Sequence, residues 1–142
     1  MGELSRFWRE SEHRYRLMGH KCGNCNVTYF PPRDICPKCH RESIGKMKPV
    51  QLQGNGEIIS FTIVHDAPPR FIRQRPYFMA LIKLDEGPTI TGQIVDCDAD
   101  EVDIGKRVRT VFRKIAEEGK SGIIEYGYKF VIDQLIYFRK KG

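Results

Sequence analysis

Cys22-Gly23-Asn24-Cys25, ten further residues, then Cys36-Pro37-Lys38-Cys39: this stretch decides how the fold is read. A Cys-x-x-Cys pair sits on a tight turn that aims both sulfurs inward, so two pairs let four thiolates converge on one ion. Four thiolates in a tetrahedron suit zinc and leave no position open for catalysis, so Cys22, Cys25, Cys36 and Cys39 are expected to hold a structural Zn2+. A single iron takes the same ligands and is the second choice. Two disulfides come last, since nothing marks the chain as secreted. The linker is shorter than in the commonest four-cysteine zinc signatures, yet long enough for a small hairpin. After each second cysteine a zinc knuckle needs a residue that tolerates positive φ. Asn26 and His40 stand there, where Gly is usual.

Working outward, 142 residues suffice for one domain with a small appendage. No apolar run approaches membrane-spanning length, so no membrane role is expected. The N-terminus alternates charge and aromatics (Glu3, Arg6, Phe7, Trp8, Arg9, Glu10), unlike a secretory signal. A cytoplasmic location follows, and Cys97, left outside the cluster, is expected to be a small buried hydrophobe. The formal charge of +6 favours anionic partners without naming them.

Toward the N-terminus, Leu4, Phe7, Trp8, Ser11, Tyr15 and Met18 recur at helical spacing. The domain expectation is an amphipathic helix over 1–19, closed by Gly19, then a zinc ribbon over 20–45 and a barrel over 46–142. Phe7 and Trp8 either dock on a partner protein or pack on the chain itself. Toward the C-terminus the period becomes two. Asn55-Gly56 signals a tight turn. A strand over 57–65 would place Ile59, Phe61 and Ile63 on one face. A second over 77–84 groups Phe78, Ala80, Ile82 and Leu84, and a third over 89–95 groups Ile90 and Ile94. Further strands are expected over 107–113 and 123–132, the latter aligning Ile124, Tyr126, Tyr128 and Phe130, with a polar loop over 116–122 between them. Five strands over this length fit a small barrel, best an OB-fold.

Together these features resemble the zinc-ribbon and OB-fold family known as domain of unknown function thirty-five. The shared pattern is the N-terminal helix, the two cysteine pairs, an aromatic before Pro31-Pro32-Arg33, and Cys36-Pro37-x-Cys39. Within the barrel it adds Gly56, Arg75-Pro76-Tyr77, Leu84-Asp85-Glu86-Gly87 and Ile104-Gly105-Lys106-Arg107-Val108. His40 departs from it, where many relatives carry glycine. The resemblance implies a mainly β protein with a rubredoxin-like zinc ribbon and a five-stranded OB-fold barrel. It also implies a non-catalytic accessory or scaffold subunit that binds acyl-CoA through its CoA moiety. The implied partner is a thiolase or a hydroxymethylglutaryl-CoA synthase-type enzyme.

The residues themselves offer no catalytic set: His13, His20, His40 and His65 are scattered and form no nucleophile–base motif. Gly119-Lys120-Ser121 lacks the earlier glycine of a phosphate loop, because that position is Lys114. Residues 65–76 join the first two barrel strands and carry Arg70, Phe71, Arg73 and Arg75 among prolines. OB-folds bind ligands with this loop; arginine forks hold phosphates and Phe71 could stack on a base. These four are the candidate ligand-binding residues, against the alternative of a solvated basic loop. Arg107, Arg109 and Arg113 alternate on one strand and either extend a basic strip or line the barrel exterior. The same loop suits a single nucleic-acid strand, which is the alternative function; an enzyme is a further one that the missing catalytic set argues against.

Overall fold

The computed structural model describes residue 9, residues 15–117 and residues 124–133. The described residues fall into two compact units that divide between Gln53 and Gly54, with the turn Glu86–Pro88 counted with the first.

The first unit is built on a three-stranded antiparallel sheet in the order β2-β1-β3, with β1 at Met18–Cys22, β2 at Thr28–Tyr29 and β3 at Met47–Gln51. β1 pairs with β3 from Met18↔Gln51 to Cys22↔Met47. The ribbon sheet therefore takes in residues 47–51, from the stretch whose period-two pattern read as barrel. Pro49 is tolerated because β3 is an edge strand. The helical spacing that suggested a helix closed by Gly19 stops earlier: Tyr15 and Arg16 are helical, Leu17 has φ 49°, and Met18 already belongs to β1. Gly19 has another use. A Cβ there would lie 2.6 Å from the Tyr29 carbonyl oxygen, so only glycine lets β1 and β2 approach this closely. Phe7 and Trp8 lie outside the described residues.

The second unit is a closed five-stranded barrel, as the alternating pattern predicts. Its strands are β4 (Asn55–Val64), β5 (Tyr77–Leu84), β6 (Thr89–Ile94), β7 (Arg107–Glu117) and β8 (Ile124–Ile132), in the order β4-β5-β6-β8-β7. All neighbours are antiparallel except β6 and β8, which run parallel where Ile94 meets Phe130. The core is Ile58, Ala80, Ile82, Leu84, Ile90, Ile94, Val108 and Phe130, all buried. β5 and β6 alternate as their sequences require.

β4 differs in two ways. Asn55-Gly56 makes no turn; both residues are already paired with β7, and the positive φ belongs to Gly54 at 78°. Pairing with β5 shifts between Ile58 and Ser60, a bulge that breaks the alternation. Ile58, not Ile59, is therefore the core residue, and Ile59 is exposed. β7 also runs to Glu117, past the expected strand end and into the stretch read as loop. Among the described residues no helix is long and apolar enough to cross a membrane.

Barrel closure depends on a large–small pair. Phe130 is fully buried, and a Cβ on Gly92 would collide with its ring. Gly92→Val should destabilise the protein by about 1–3 kcal/mol through overpacking, read as a lower urea midpoint at unchanged slope.

Candidate functional site

Four sulfurs gather in the ribbon. The Sγ atoms of Cys22, Cys25, Cys36 and Cys39 all lie within 4.8 Å of one another. Two matching knuckles place them: the Asn26 N–H donates to the Cys22 carbonyl and the His40 N–H to the Cys36 carbonyl, each at 2.9 Å. Asn26 and His40 have φ of 60° and 46°, the left-handed conformation that their positions after the second cysteines required. Ser43, fully buried, braces the second knuckle by accepting the Cys36 N–H at 2.9 Å and donating to the His40 carbonyl at 2.6 Å. His20 is not in the cluster; its Nδ1 lies 2.7 Å from the Arg33 carbonyl.

The donor chemistry fits a divalent cation. Cys25 and Cys36 sulfurs are 3.6 Å apart, close to the roughly 3.8 Å edge of a tetrahedron with Zn–S bonds of about 2.3 Å. That distance is far beyond a disulfide bond of about 2.05 Å. Burial pushes the Cys36 thiol up, but the Tyr29 hydroxyl and the N–H groups of Cys39 and Lys38 outweigh it and lower it to about 6. Cys22 is also lowered, first by the N–H of Cys25. Cys39 receives a lowering hydrogen bond from Asn24, yet burial and the other three sulfurs drive it up to about 11. Tyr29, 3.3 Å from Cys36 Sγ, is pushed up to about 12, mainly because its hydroxyl donates to that sulfur. The first sulfurs to ionise are thus stabilised and the last resists. A central dication removes that conflict.

The second candidate region is the loop between β4 and β5. Pro69–Gln74 forms a 3-10 turn that is fastened to the β7–β8 hairpin. Arg70 Nη2 meets Glu125 Oε2 at 2.6 Å, Gln74 Nε2 donates to the Ile115 carbonyl at 2.8 Å, and Lys129 Nζ donates to Gln74 Oε1 at 2.9 Å. Arg70 is therefore engaged as an anchor. Phe71 is half-buried with its ring 6.2 Å from that of Tyr77, while Arg73 and Arg75 are exposed. On β7, Arg107 makes a two-pronged bond to Asp85 at 2.7 and 2.6 Å, and Arg113 pairs with Asp96 at 3.0 Å. The Arg107 guanidinium holds the Asp85 carboxyl below its ordinary range. Two of the three strand arginines are thus paired within the barrel itself.

Family models match two parts of the chain: residues 9–45 match the rubredoxin-like zinc ribbon domain of ChsH2, and residues 49–113 its C-terminal OB-fold domain. A DUF35 domain-containing scaffold protein of Methanocaldococcus jannaschii is 49% identical over 125 residues, covering 88% of this chain and 87% of that one. The chain belongs to the DUF35 family. The DUF35 fold also matches a solved structure, the "Ltp2-ChsH2(DUF35) aldolase", with a TM-score of 0.64 and 25% identity over 89% of this chain and 90% of that one. A probable enoyl-CoA hydratase alpha subunit of Thermomonospora curvata is 30% identical over 102 residues, 72% of this chain but only 31% of that longer one.

In this DUF35 chain several residues of the loop–hairpin region escape a sequence reading. Gln74 and Lys129 are ordinary polar residues in the sequence, 55 positions apart. Lys129 interrupts the apolar run before Phe130-Val131, a signal that it is covered by something polar. It is 7% exposed, and burial lowers its amine below the ordinary lysine value. A lysine held below its unfolded pKa opposes folding at neutral pH, and that cost fades as pH rises through the folded pKa toward 10.5. Lys129→Met should therefore remove a rise of stability with alkaline pH. Stability at neutral pH should change by less than about 1.5 kcal/mol, since the lost hydrogen bond offsets the relieved burial. Urea unfolding across neutral to alkaline pH checks both outcomes.

Proposed function

We propose that this chain is a non-catalytic accessory or scaffold subunit. In this reading Cys22, Cys25, Cys36 and Cys39 hold a structural zinc, and the barrel takes the CoA portion of an acyl-CoA beside a thiolase or hydroxymethylglutaryl-CoA synthase-type enzyme. The observation that carries the scaffold role is the likeness, over nearly the whole chain, to proteins named as DUF35 scaffolds and to the DUF35 component of an aldolase. The acyl-CoA part is supported by the name of the hydratase subunit relative and by the exposed Arg73 and Arg75, whose forks suit phosphates. Under this reading the expected helix 1–19, ribbon 20–45 and barrel 46–142 give way to a ribbon unit that ends at Gln53 and a barrel that starts at Gly54. Phe7 and Trp8 supply the protein-docking aromatics, and a cytoplasmic location suits a thiolate site.

Zinc supplies folding free energy to a ribbon too small to fold on its own core. Elemental analysis should find about one zinc per chain, because four thiolates close one site. Cys36→Ser should lose the metal and the ribbon's amide dispersion in NMR spectra. Iron bound in the protein from its native source would overturn the zinc assignment.

Purification of the endogenous complex tests the functional reading. An acyl-CoA-processing enzyme should co-purify, and Arg73→Ala with Arg75→Ala should weaken acyl-CoA binding by the complex. Each lost charge-assisted contact contributes roughly 1.5–3 kcal/mol, so the effect should be about tenfold or more. Recovery without such an enzyme, together with tight and strongly salt-dependent binding of single-stranded oligonucleotides, would favour a nucleic-acid module instead.

A further inference from the structure

Among the described residues the excess of positive charge lies in the ribbon. Between Leu17 and Gln51 six lysines and arginines stand against two acids, Asp34 and Glu42. In the barrel, by contrast, Arg70, Arg107 and Arg113 are each met by a carboxylate. Sheet register brings three of the ribbon cations together. Lys21 of β1 lies directly opposite Lys48 of β3, and the ladder continues where the Gly23 N–H donates to the Lys46 carbonyl at 2.9 Å. Directly opposed residues share a face, as do alternate residues of one strand, so Lys21, Lys46 and Lys48 project from the same side of the sheet. Cys22 and Met47, the pair between them, project from the other side, where the sulfur cluster is. All three lysines are exposed, and none is ion-paired among the described residues.

Like charges set directly opposite one another on a sheet are destabilising, and the next strand does not relieve the pair: on its other side Lys21 meets Thr28 of β2. An anionic surface laid across this face removes the repulsion as it binds. The face also limits what that surface is. Ammonium groups on flexible stems accept carboxylates from many directions. No aromatic ring stands in the paired positions of this face, so it offers nothing on which a nucleic-acid base stacks. Pro49 takes an N–H from the free edge of β3, so the ribbon meets a partner through the side chains of its face and not by adding a strand. We infer that Lys21, Lys46 and Lys48 form a docking face for an acidic protein surface. The inference rests on the scaffold reading, which makes that surface part of the enzyme this chain holds.

The test is NMR of the full chain with labelled lysine side chains, titrated with poly-L-glutamate and, separately, with oligothymidylate. Poly-L-glutamate should shift the Lys21, Lys46 and Lys48 signals and leave that of Lys83, an exposed lysine of the barrel, in place. Its binding should weaken as salt rises. Lys21→Gln and Lys48→Gln should each weaken it about two- to fivefold, the range of an exposed ion pair. Each should also raise the urea midpoint of the free chain, because each relieves the opposed pair. A fall in that midpoint would show the lysines serving the chain's own fold and would overturn the docking face. So would silent lysine signals, or oligothymidylate binding there more tightly than poly-L-glutamate, which would mark a nucleic-acid surface. In the complex purified from the native source, Lys48→Glu should release the co-purifying enzyme at lower salt than the parent chain does, and Lys83→Glu should not. A complex indifferent to Lys48→Glu overturns the inference and leaves the scaffold reading standing. Shifts at the three lysines, with no enzyme in the endogenous complex, overturn the scaffold reading and leave the docking face standing.

Discussion

Four sulfur atoms confined within 4.8 Å repel one another once ionised, and the geometry of the ribbon follows from how that repulsion is managed. Backbone N–H groups and the Tyr29 hydroxyl point at Cys36 and lower its thiol, while burial and the other three sulfurs raise Cys39. Aiming those N–H groups requires the left-handed residues Asn26 and His40. The sheet is registered from the same point. Cys22 ends β1 opposite Met47, so the cluster and the β1–β3 pairing share a residue and cannot be specified separately.

The barrel is governed by a different constraint, the volume of Phe130. Its ring occupies the space that any side chain at Gly92 would need, next to the single place where β6 and β8 run parallel. Chain reversals elsewhere use local devices. Asp98 and Glu101 cap each other across a short 3-10 turn, and Gly87 turns between β5 and β6 with φ 115°. Three contacts from Arg70, Gln74 and Lys129 then join the β4–β5 loop to the hairpin, so a loop rich in proline and arginine has a defined seat.

Much of this was legible in the sequence because it is local. The cysteine spacing, the residues after the second cysteines and the alternation in β5 and β6 each depend on a few adjacent positions. Long-range pairing was what escaped. Gly19 read as a helix stop, yet its need arises from Tyr29 ten residues later. The Asn-Gly pair at 55–56 carried a turn signal that was overridden by pairing with β7, more than fifty residues downstream. A bulge moves one residue to the other face, and an even alternation pattern cannot reveal it, so Ile59 was read for Ile58. At the candidate sites the four cysteines were readable as a set. The engagement of Arg70 with Glu125 was not, since nothing near Arg70 in the sequence announces a carboxylate 55 residues away.

Because β4 shares only Arg107–Arg109 with β7, the outer part of the hairpin contributes little to closing the barrel. Its inner end is tied to the core through Phe130, while the side chains at 112, 124 and 126 are partly exposed. Sequence change at those positions can alter the chemistry of the surface without reopening the fold. Within one architecture, then, the hairpin is a place where the surface can change while the sulfur cluster and the Gly92–Phe130 contact are left untouched.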